Sequence, residues 1–274
     1  MARGLNLMSR ISNRISKHMT IALFSDIHAN LPALDAFFQD VDSRKPDAIY
    51  CLGDLVGYNV WPNEVIAEIR RRMIPTIAGN YDFGVGRTSD DCGCAYKTDE
   101  EKAMGQVSIS YTNSIMGDDE RTWLRSLPAH IRVEFQLNND KLNLLLVHGS
   151  PRRVNEYLFE DREEKSMLRI MEHADADILC FGHTHKPYHR VIAAGSPEKP
   201  HYRHAINTGS VGKPKDGDPR GCYVLLHIDE CSSVSVADSI RVEFIRFNYD
   251  IEKAAKAVEN SPLPDAFAMM LRKG

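Results

Sequence analysis

The chain has 274 residues, 43% of them apolar and 26% charged, with a formal net charge of −4 at pH 7. That length suits one substantial core, and the mildly acidic balance excludes the basic footprint of a nonspecific nucleic-acid binder. No run approaches the roughly 18 apolar residues of a membrane span. Six cysteines (Cys51, Cys92, Cys94, Cys180, Cys222 and Cys231) lack the spacing of a secreted disulfide framework, so a reducing cytoplasm is the expected location.

Residues 1–19 carry Arg3, Arg10, Arg14 and Lys17 and no acid, with Leu5, Leu7, Met8, Ile11 and Ile15 interspersed. This composition is that of a targeting peptide, although its apolar run is too short for a secretory signal. The alternative is an upstream start, with Met19-Thr20-Ile21 opening the first strand. On either reading the basic extension stands apart from a single domain over 20–274.

Ile21 to Phe24 is a short apolar run, read as a buried strand, that ends in Ser25-Asp26-Ile27-His28. Leu31 to Arg44 follows as an amphipathic helix with Leu31, Leu34, Phe37, Phe38 and Val41 on one face. A second strand, Asp47 to Leu52, runs into Gly53-Asp54, and Pro62 opens a helix that reaches Arg72. A third strand, Pro75 to Ala78, runs into Gly79-Asn80-Tyr81-Asp82. Phe83 to Asp99, with Gly84, Gly86 and Cys92-Gly93-Cys94, reads as a long irregular loop placed to shape the mouth of a site. Helices over Glu101–Met116 and Asp118–Ser126 precede a strand at Ile131–Phe135. Leu142 to Val147 then runs into His148-Gly149. After a helix from Arg162 to His173, Asp177 to Phe181 runs into Gly182-His183-Thr184-His185.

From Tyr188 onward the pattern turns to strands, at 188–193, 202–207, 221–228 and 234–247, which suggests a second, largely antiparallel sheet. Helices over 251–260 and 265–273 close the chain. The expected class is α/β, an αββα four-layer sandwich of two facing mixed sheets flanked by helices.

Five apolar runs thus deliver Asp, Asn or His at their carboxyl ends, the rim where open α/β sheets bind ligands. Convergence of these residue types without Cys points to a metal centre. Each motif alone is weak, because short polar pairs at strand ends are common turn residues. Their joint order is what discriminates. Asp-x-His, Gly-Asp, Gly-Asn-x-Asp, His-Gly and Gly-His-x-His resemble the five signature blocks of the calcineurin-like metallophosphoesterase family. Asn207-Thr208-Gly209-Ser210-Val211-Gly212-Lys213-Pro214, followed by Asp216-Gly217-Asp218-Pro219-Arg220, is similar to a block of its bacterial phosphodiesterase-like branch.

The resemblance implies two divalent metal ions. Asp26, His28 and His185 would hold the first, Asn80, His148 and His183 the second, and Asp54 would bridge them. Carboxylate, amide and imidazole together suit Mn, Fe or Zn better than Mg. The implied reaction is attack on a phosphoryl group by a hydroxide shared between the metals. Glycines 53, 79, 149 and 182 would let backbone approach closely there.

The third block departs from the family pattern, which has His where this chain has Tyr81. A phenol with an unperturbed pKa near about 10 is a poor proton donor at neutral pH. The substitution suggests leaving groups that need little protonation, such as a nucleotide phosphate or aryloxide, and diesters over monoesters. Tyr81 is accordingly a candidate for both catalysis and substrate contact. Asp82 is expected to orient neighbouring ligands. Lys97 and Arg220 are further candidate substrate contacts, with Arg220 equally suited to a turn salt bridge. Tyr96 and Arg87 share the loop but fit a solvated face at least as well. Cys92 and Cys94 fall short of a zinc site, and His189, His201 and His204 are expected outside the centre.

The leading functional reading is a binuclear phosphoesterase acting on a small phosphodiester or nucleotide, independent of nucleic acid or membrane. Dinucleoside-polyphosphate hydrolase and protein phosphatase are alternatives within enzymes. A protein-binding scaffold of the same fold is the non-enzyme alternative, opposed by competent residues at all seven ligand positions.

Overall fold

In the computed structural model, which describes residues 12–14, 18–96, 98–138 and 140–274, alternating side chains along the strands build the layers. In chain order the first elements are β1 (Ser12–Arg14), β2 (His18–Phe24), α1 (Leu31–Arg44), β3 (Ala48–Cys51), α2 (Pro62–Arg71) and α3 (Asn80–Gly86). They are followed by α4 (Asp99–Ile115), α5 (Asp118–Ser126), β4 (His130–Gln136), β5 (Lys141–Val147), α6 (Glu164–His173) and β6 (Ile178–Phe181). The last are β7 (Tyr188–Ala193), β8 (Tyr202–Asn207), β9 (Gly221–Asp229), β10 (Arg241–Phe247), α7 (Ile251–Glu259) and α8 (Asp265–Lys273).

One sheet has the order β10-β9-β2-β3, the other β1-β4-β5-β6-β8-β7. In the first, β2 is parallel to β3 and antiparallel to β9. In the second, β5, β6 and β8 run parallel, β4 is antiparallel to β5 but parallel to β1, and β7 is antiparallel to β8. Both sheets are mixed, as the αββα expectation requires.

Ile21 and Leu23 of β2 share one buried cluster with Leu144 and Leu146 of β5, Ile178 and Cys180 of β6, and Val224 and Leu226 of β9. This is the layer between the sheets. The alternate residues Ala22 and Phe24 lie in a second cluster with Phe37 of α1, Ile66 of α2, Val258 of α7 and Phe267 of α8. Leu145, Val147, Leu179 and Phe181 face outward from the larger sheet onto Met167 and Ile170 of α6. A one-residue slip in any of these strands would exchange its two faces, so the helices on either side fix the register.

Several boundaries differ from the sequence reading. Pro75–Ala78 is not a strand but a single bridge, Cys51 to Thr76, because Pro75 has no N–H to give a ladder. The segment after it starts as α3, so the irregular loop begins only at Arg87. The expected strand 234–247 is ordered as β10 only from Arg241; before it, Ser232, Ser233 and Ser239 form a knot of side-chain to backbone bonds that replaces the ladder. The later strands do not make a sheet of their own. β7 and β8 extend the sheet of β5 and β6, while β9 and β10 extend that of β2 and β3. The basic extension also enters the sheets, since Ser12–Arg14 pairs in parallel with Glu134–Gln136 and β2 begins at His18. Among the described residues no helix is long and apolar enough to cross a membrane.

Candidate metal centre

Loops from both sheets meet at one end of the sandwich. Asp26 and His28 follow β2, Asp54 follows β3, Asn80 opens α3, His148 follows β5, and His183 and His185 follow β6. All seven are buried, none more than 3% exposed, although each belongs to a residue type that prefers water. Asp26, His28 and His185 form one group of possible metal ligands, and Asp54, His148 and His183 a second; within each, the ligand atoms lie within 4.8 Å of one another.

Hydrogen bonds fix the tautomers. His28 Nδ1 donates to the carbonyl of Val56 at 2.9 Å, His148 Nδ1 to that of Leu52 at 2.8 Å, and His185 Nδ1 to that of Lys213. A carbonyl only accepts, so each contact places a proton on Nδ1 and, for His28 and His185, turns the Nε2 lone pair toward the centre. There the Nε2 atoms of His28 and His185 face each other at 3.2 Å. Asp26 Oδ1 lies 3.3 Å from His185 Nε2 and has no hydrogen-bond partner; Asp26 Oδ2 accepts from the backbone N–H of His183 at 3.0 Å. Three buried acceptors aimed at one point repel unless a cation lies among them.

The second group repeats this arrangement. Asn80 Nδ2 donates to the carbonyl of Cys92 at 2.8 Å and reaches Cys94 Sγ at 3.4 Å, which turns Oδ1 toward His148 Nε2 at 3.1 Å. Asp54 Oδ2 is 3.3 Å from His148 Nε2 and 3.5 Å from His28 Nε2, between the two groups. Among the described residues, His183 Nε2 is buried without a hydrogen-bond partner.

Burial holds His28 neutral by pushing its pKa down to about 3, and lowers His183 to about 4 with help from nearby His148. Burial, with the charges of Lys215 and Lys213, also takes His185 well below its ordinary value. These are the neutral imidazoles that bind cations. For His148 burial opposes the charge, but Asp54 outweighs it and raises the group to about 9. Asp54 is held below the usual carboxylate range against its own burial, chiefly by His148 and His28. A cation placed here takes over the role of the proton that otherwise joins these two side chains.

The backbone is bent to achieve this. Asp26, His28, Asp54, His183 and His185 all have φ between 50° and 67°, the left-handed region that side chains other than glycine rarely occupy. Glycine is needed beside them for space. A Cβ on Gly79 would lie 2.1 Å from Asp54 Oδ1, and one on Gly182 would lie 2.4 Å from Asp26 Oδ2. Asp82 holds two loops together: Oδ2 accepts from Asp54 N at 2.7 Å and Gly79 N at 2.9 Å, and Oδ1 from Leu55 N at 2.9 Å. The Gly-Ser-Val-Gly block braces the first loop, with Ser210 Oγ donating to the Asp26 carbonyl at 2.7 Å and Val211 N to that of Ser25 at 3.0 Å.

Residues 19–231 match the calcineurin-like phosphoesterase superfamily domain. The chain belongs to this superfamily. The chain is 31% identical over 258 residues to an uncharacterized protein of Methanocaldococcus jannaschii, spanning 89% of this chain and 94% of the relative. A crystal structure of a metallophosphoesterase from Sphaerobacter thermophilus aligns with a TM-score of 0.67 at 26% identity, over 94% of this chain and 99% of the other. A hypothetical protein of Pyrococcus horikoshii has the same fold, with a TM-score of 0.71 at 20% identity over 92% and 97% of the two chains. The superfamily hydrolyses phosphoric esters with divalent metals, and the donor set here fits such ions.

Tyr81 is fully buried, its ring 4.8 Å from that of Tyr58 and edge-on to His28 at 5.5 Å. Arg220 is exposed and closes a turn on Asp218 at 2.7 Å, the salt-bridge alternative. Arg87 stacks on Phe83 at 3.7 Å. Lys97 lies outside the described residues. His189 and His204 pair at 3.0 Å on β7 and β8, and His201 meets Asp177 at 3.2 Å, all apart from the centre as expected.

A cavity of about 510 Å³ borders the centre, reaching it through Thr184, between His183 and His185, and Cys94. Tyr96, Tyr157, Phe159, Lys213 and Lys215 also line it. Apart from Tyr96, the sequence reading passed over these residues as contacts. The one signal available was Lys213-Pro214-Lys215, cations continuing a block otherwise made of small residues.

Proposed function

We propose that this chain is a binuclear metal-dependent phosphoesterase that hydrolyses small phosphodiesters or nucleotides. The observation carrying the proposal is the crowding of unprotonated acceptors, above all the opposed Nε2 atoms of His28 and His185 at 3.2 Å. Asp26, His28 and His185 would hold one cation and Asn80, His148 and His183 the other, with Asp54 shared. Mn, Fe or Zn suits this mixture of imidazole, amide and carboxylate. The chemistry such a pair supplies when bound is polarisation of the phosphoryl oxygens and acidification of a water toward a pKa of about 7.

The chain's own residues then orient and exclude. Backbone carbonyls of Leu52, Val56 and Lys213 keep three imidazoles in the ligating tautomer. Asp82 and the Gly-Ser-Val-Gly block hold the loops that carry Asp54 and Asp26. Burial raises the Tyr81 phenol well above its ordinary pKa and leaves it a poor proton donor, which favours diesters whose leaving group departs without a proton.

The test is metal content and hydrolysis of bis(p-nitrophenyl) phosphate, on protein purified without chelator. Two equivalents of divalent metal and Mn-dependent turnover, abolished by EDTA and by Asp54→Ala, are expected. Substoichiometric metal with no turnover in added Mn would favour the scaffold reading instead. A panel of aryl diesters, cyclic nucleotides, dinucleoside polyphosphates and monoesters then ranks the substrates.

A further inference from the structure

Lys213 is 5% exposed and lines the cavity beside the metal centre. Among the described residues no carboxylate lies within ion-pair distance of it. Its Nζ instead stands 4.4 Å above the Tyr58 ring and 3.9 Å from Met270 Sδ, and both of these residues also line the cavity. Among the described residues that line the cavity, Lys186, Lys213, Lys215 and Lys273 outnumber the one carboxylate side chain, Glu101, so the lining as a whole suits an anion. Lys215 and Lys186 stand exposed at the same cavity.

Another part of the lining is aromatic. Tyr157 packs over His183 with ring centroids 4.0 Å apart, and Phe159 stacks on Tyr157 at 5.5 Å with an interplanar angle of 11°. Phe159 is 45% exposed, an uncovered large apolar ring next to a charged cavity. The volume, about 510 Å³, falls within the roughly 300–1,000 Å³ of small-molecule sites. Cations and aromatic faces in one cavity match a ligand that joins a planar ring to more than one anionic group.

We infer that Lys213, assisted by Lys215, determines specificity by binding an anionic group of the substrate other than the phosphoryl group being cleaved, while Tyr157 and Phe159 take its ring. The preferred substrates are then nucleotides with two or more phosphates, not singly charged aryl diesters. This rests on the phosphoesterase reading above and narrows its substrate class. Lys213 acts here by charge and position, without a proton-transfer role.

The experiment uses the full chain loaded with Mn. kcat/KM is measured for adenosine 5′-diphosphate, diadenosine tetraphosphate and bis(p-nitrophenyl) phosphate, and isothermal titration gives the affinity for adenosine 5′-(α,β-methylene)diphosphate. Lys213→Met, which keeps the length and lies beside Met270, is expected to lower the nucleotide-to-aryl-diester ratio of kcat/KM about tenfold, through KM, and to weaken analogue binding about tenfold. Lys213→Arg should keep both within about threefold of the parent. Phe159→Ala should weaken the adenine analogue but not inorganic tripolyphosphate. Equal losses on nucleotides and aryl diester in both Lys213 variants, or unchanged analogue affinity in Lys213→Met, would overturn the inference. An inert wild-type protein that hydrolyses none of the three esters would instead defeat the phosphoesterase reading itself, which the titration separates from loss of the subsite.

Discussion

Replacing Asp82 tests how the centre is held together, because this carboxylate satisfies three buried backbone N–H groups at 2.7–2.9 Å. In Asp82→Ala all three donors lose their acceptor. Hydrogen bonds to a charged group contribute about 1.5–3 kcal/mol each, so a loss of about 4 kcal/mol or more is expected even if water enters. Asp82→Asn is milder for two opposing reasons. The amide offers one oxygen, so at least one donor, at Leu55 or at Asp54 and Gly79, faces an NH₂ group. Against that, the neutral side chain escapes the burial and the repulsion from Asp54 that push the Asp82 pKa up to about 7. A net destabilisation of about 2 kcal/mol follows, or roughly 4–8 °C in Tm for a chain of this size. Because the same bonds position Asp54, Mn affinity should fall about 10–100-fold in Asp82→Asn, as for other residues that orient metal ligands. Thermal unfolding with and without Mn, together with a metal titration, reads both quantities. An Asp82→Asn protein with parental Tm and parental Mn affinity would refute the reasoning.

Gly79→Ala should lower phosphodiester turnover by about a hundredfold or more, since its Cβ would strike Asp54 Oδ1 at 2.1 Å and the obstacle is a metal-ligand loop. Tyr81→Phe should keep turnover within about twofold and stability within about 1 kcal/mol, because phenylalanine preserves the buried ring's packing on Tyr58 and His28. Arg220→Ala is expected to leave kinetics unchanged and to cost at most about 1 kcal/mol in a melt, as for other exposed ion pairs. Stability should fall as pH drops from about 6.5 toward about 4: burial, with His189 beside it, lowers His204 to about 4, so over that window the unfolded chain takes up a proton that the folded chain refuses. His204→Gln should flatten this part of the pH–Tm curve, and an unaltered slope would count against the assignment.

The sequence by itself determined the order of the elements and the residues that gather at the candidate centre. Each ligand follows or adjoins a short apolar segment, and the type of residue that can bind a cation is a local chemical property, visible wherever Asp26, Asp54, Asn80, His148 or His183 stands. Local pattern likewise located α1, α2 and the closing helices, whose apolar stripes are set by the 3.6-residue period. Which sheet a strand joins is not local. Tyr188–Ala193 and Gly221–Asp229 look alike along the chain, yet β7 pairs with β8 and β9 with β2, because pairing depends on faces presented by segments far away in sequence. Side-chain direction was decided at the same level. The place of Tyr81 in the third block is plain along the chain, but only packing sets its ring against Tyr58 and His28. Lys213, unremarkable in a glycine-rich block, becomes a buried lysine beside the cavity only when α8 brings Met270 and the loop after β3 brings Tyr58 against it. Tautomer, burial and the lining of a cavity are relations between distant residues, and packing alone creates them.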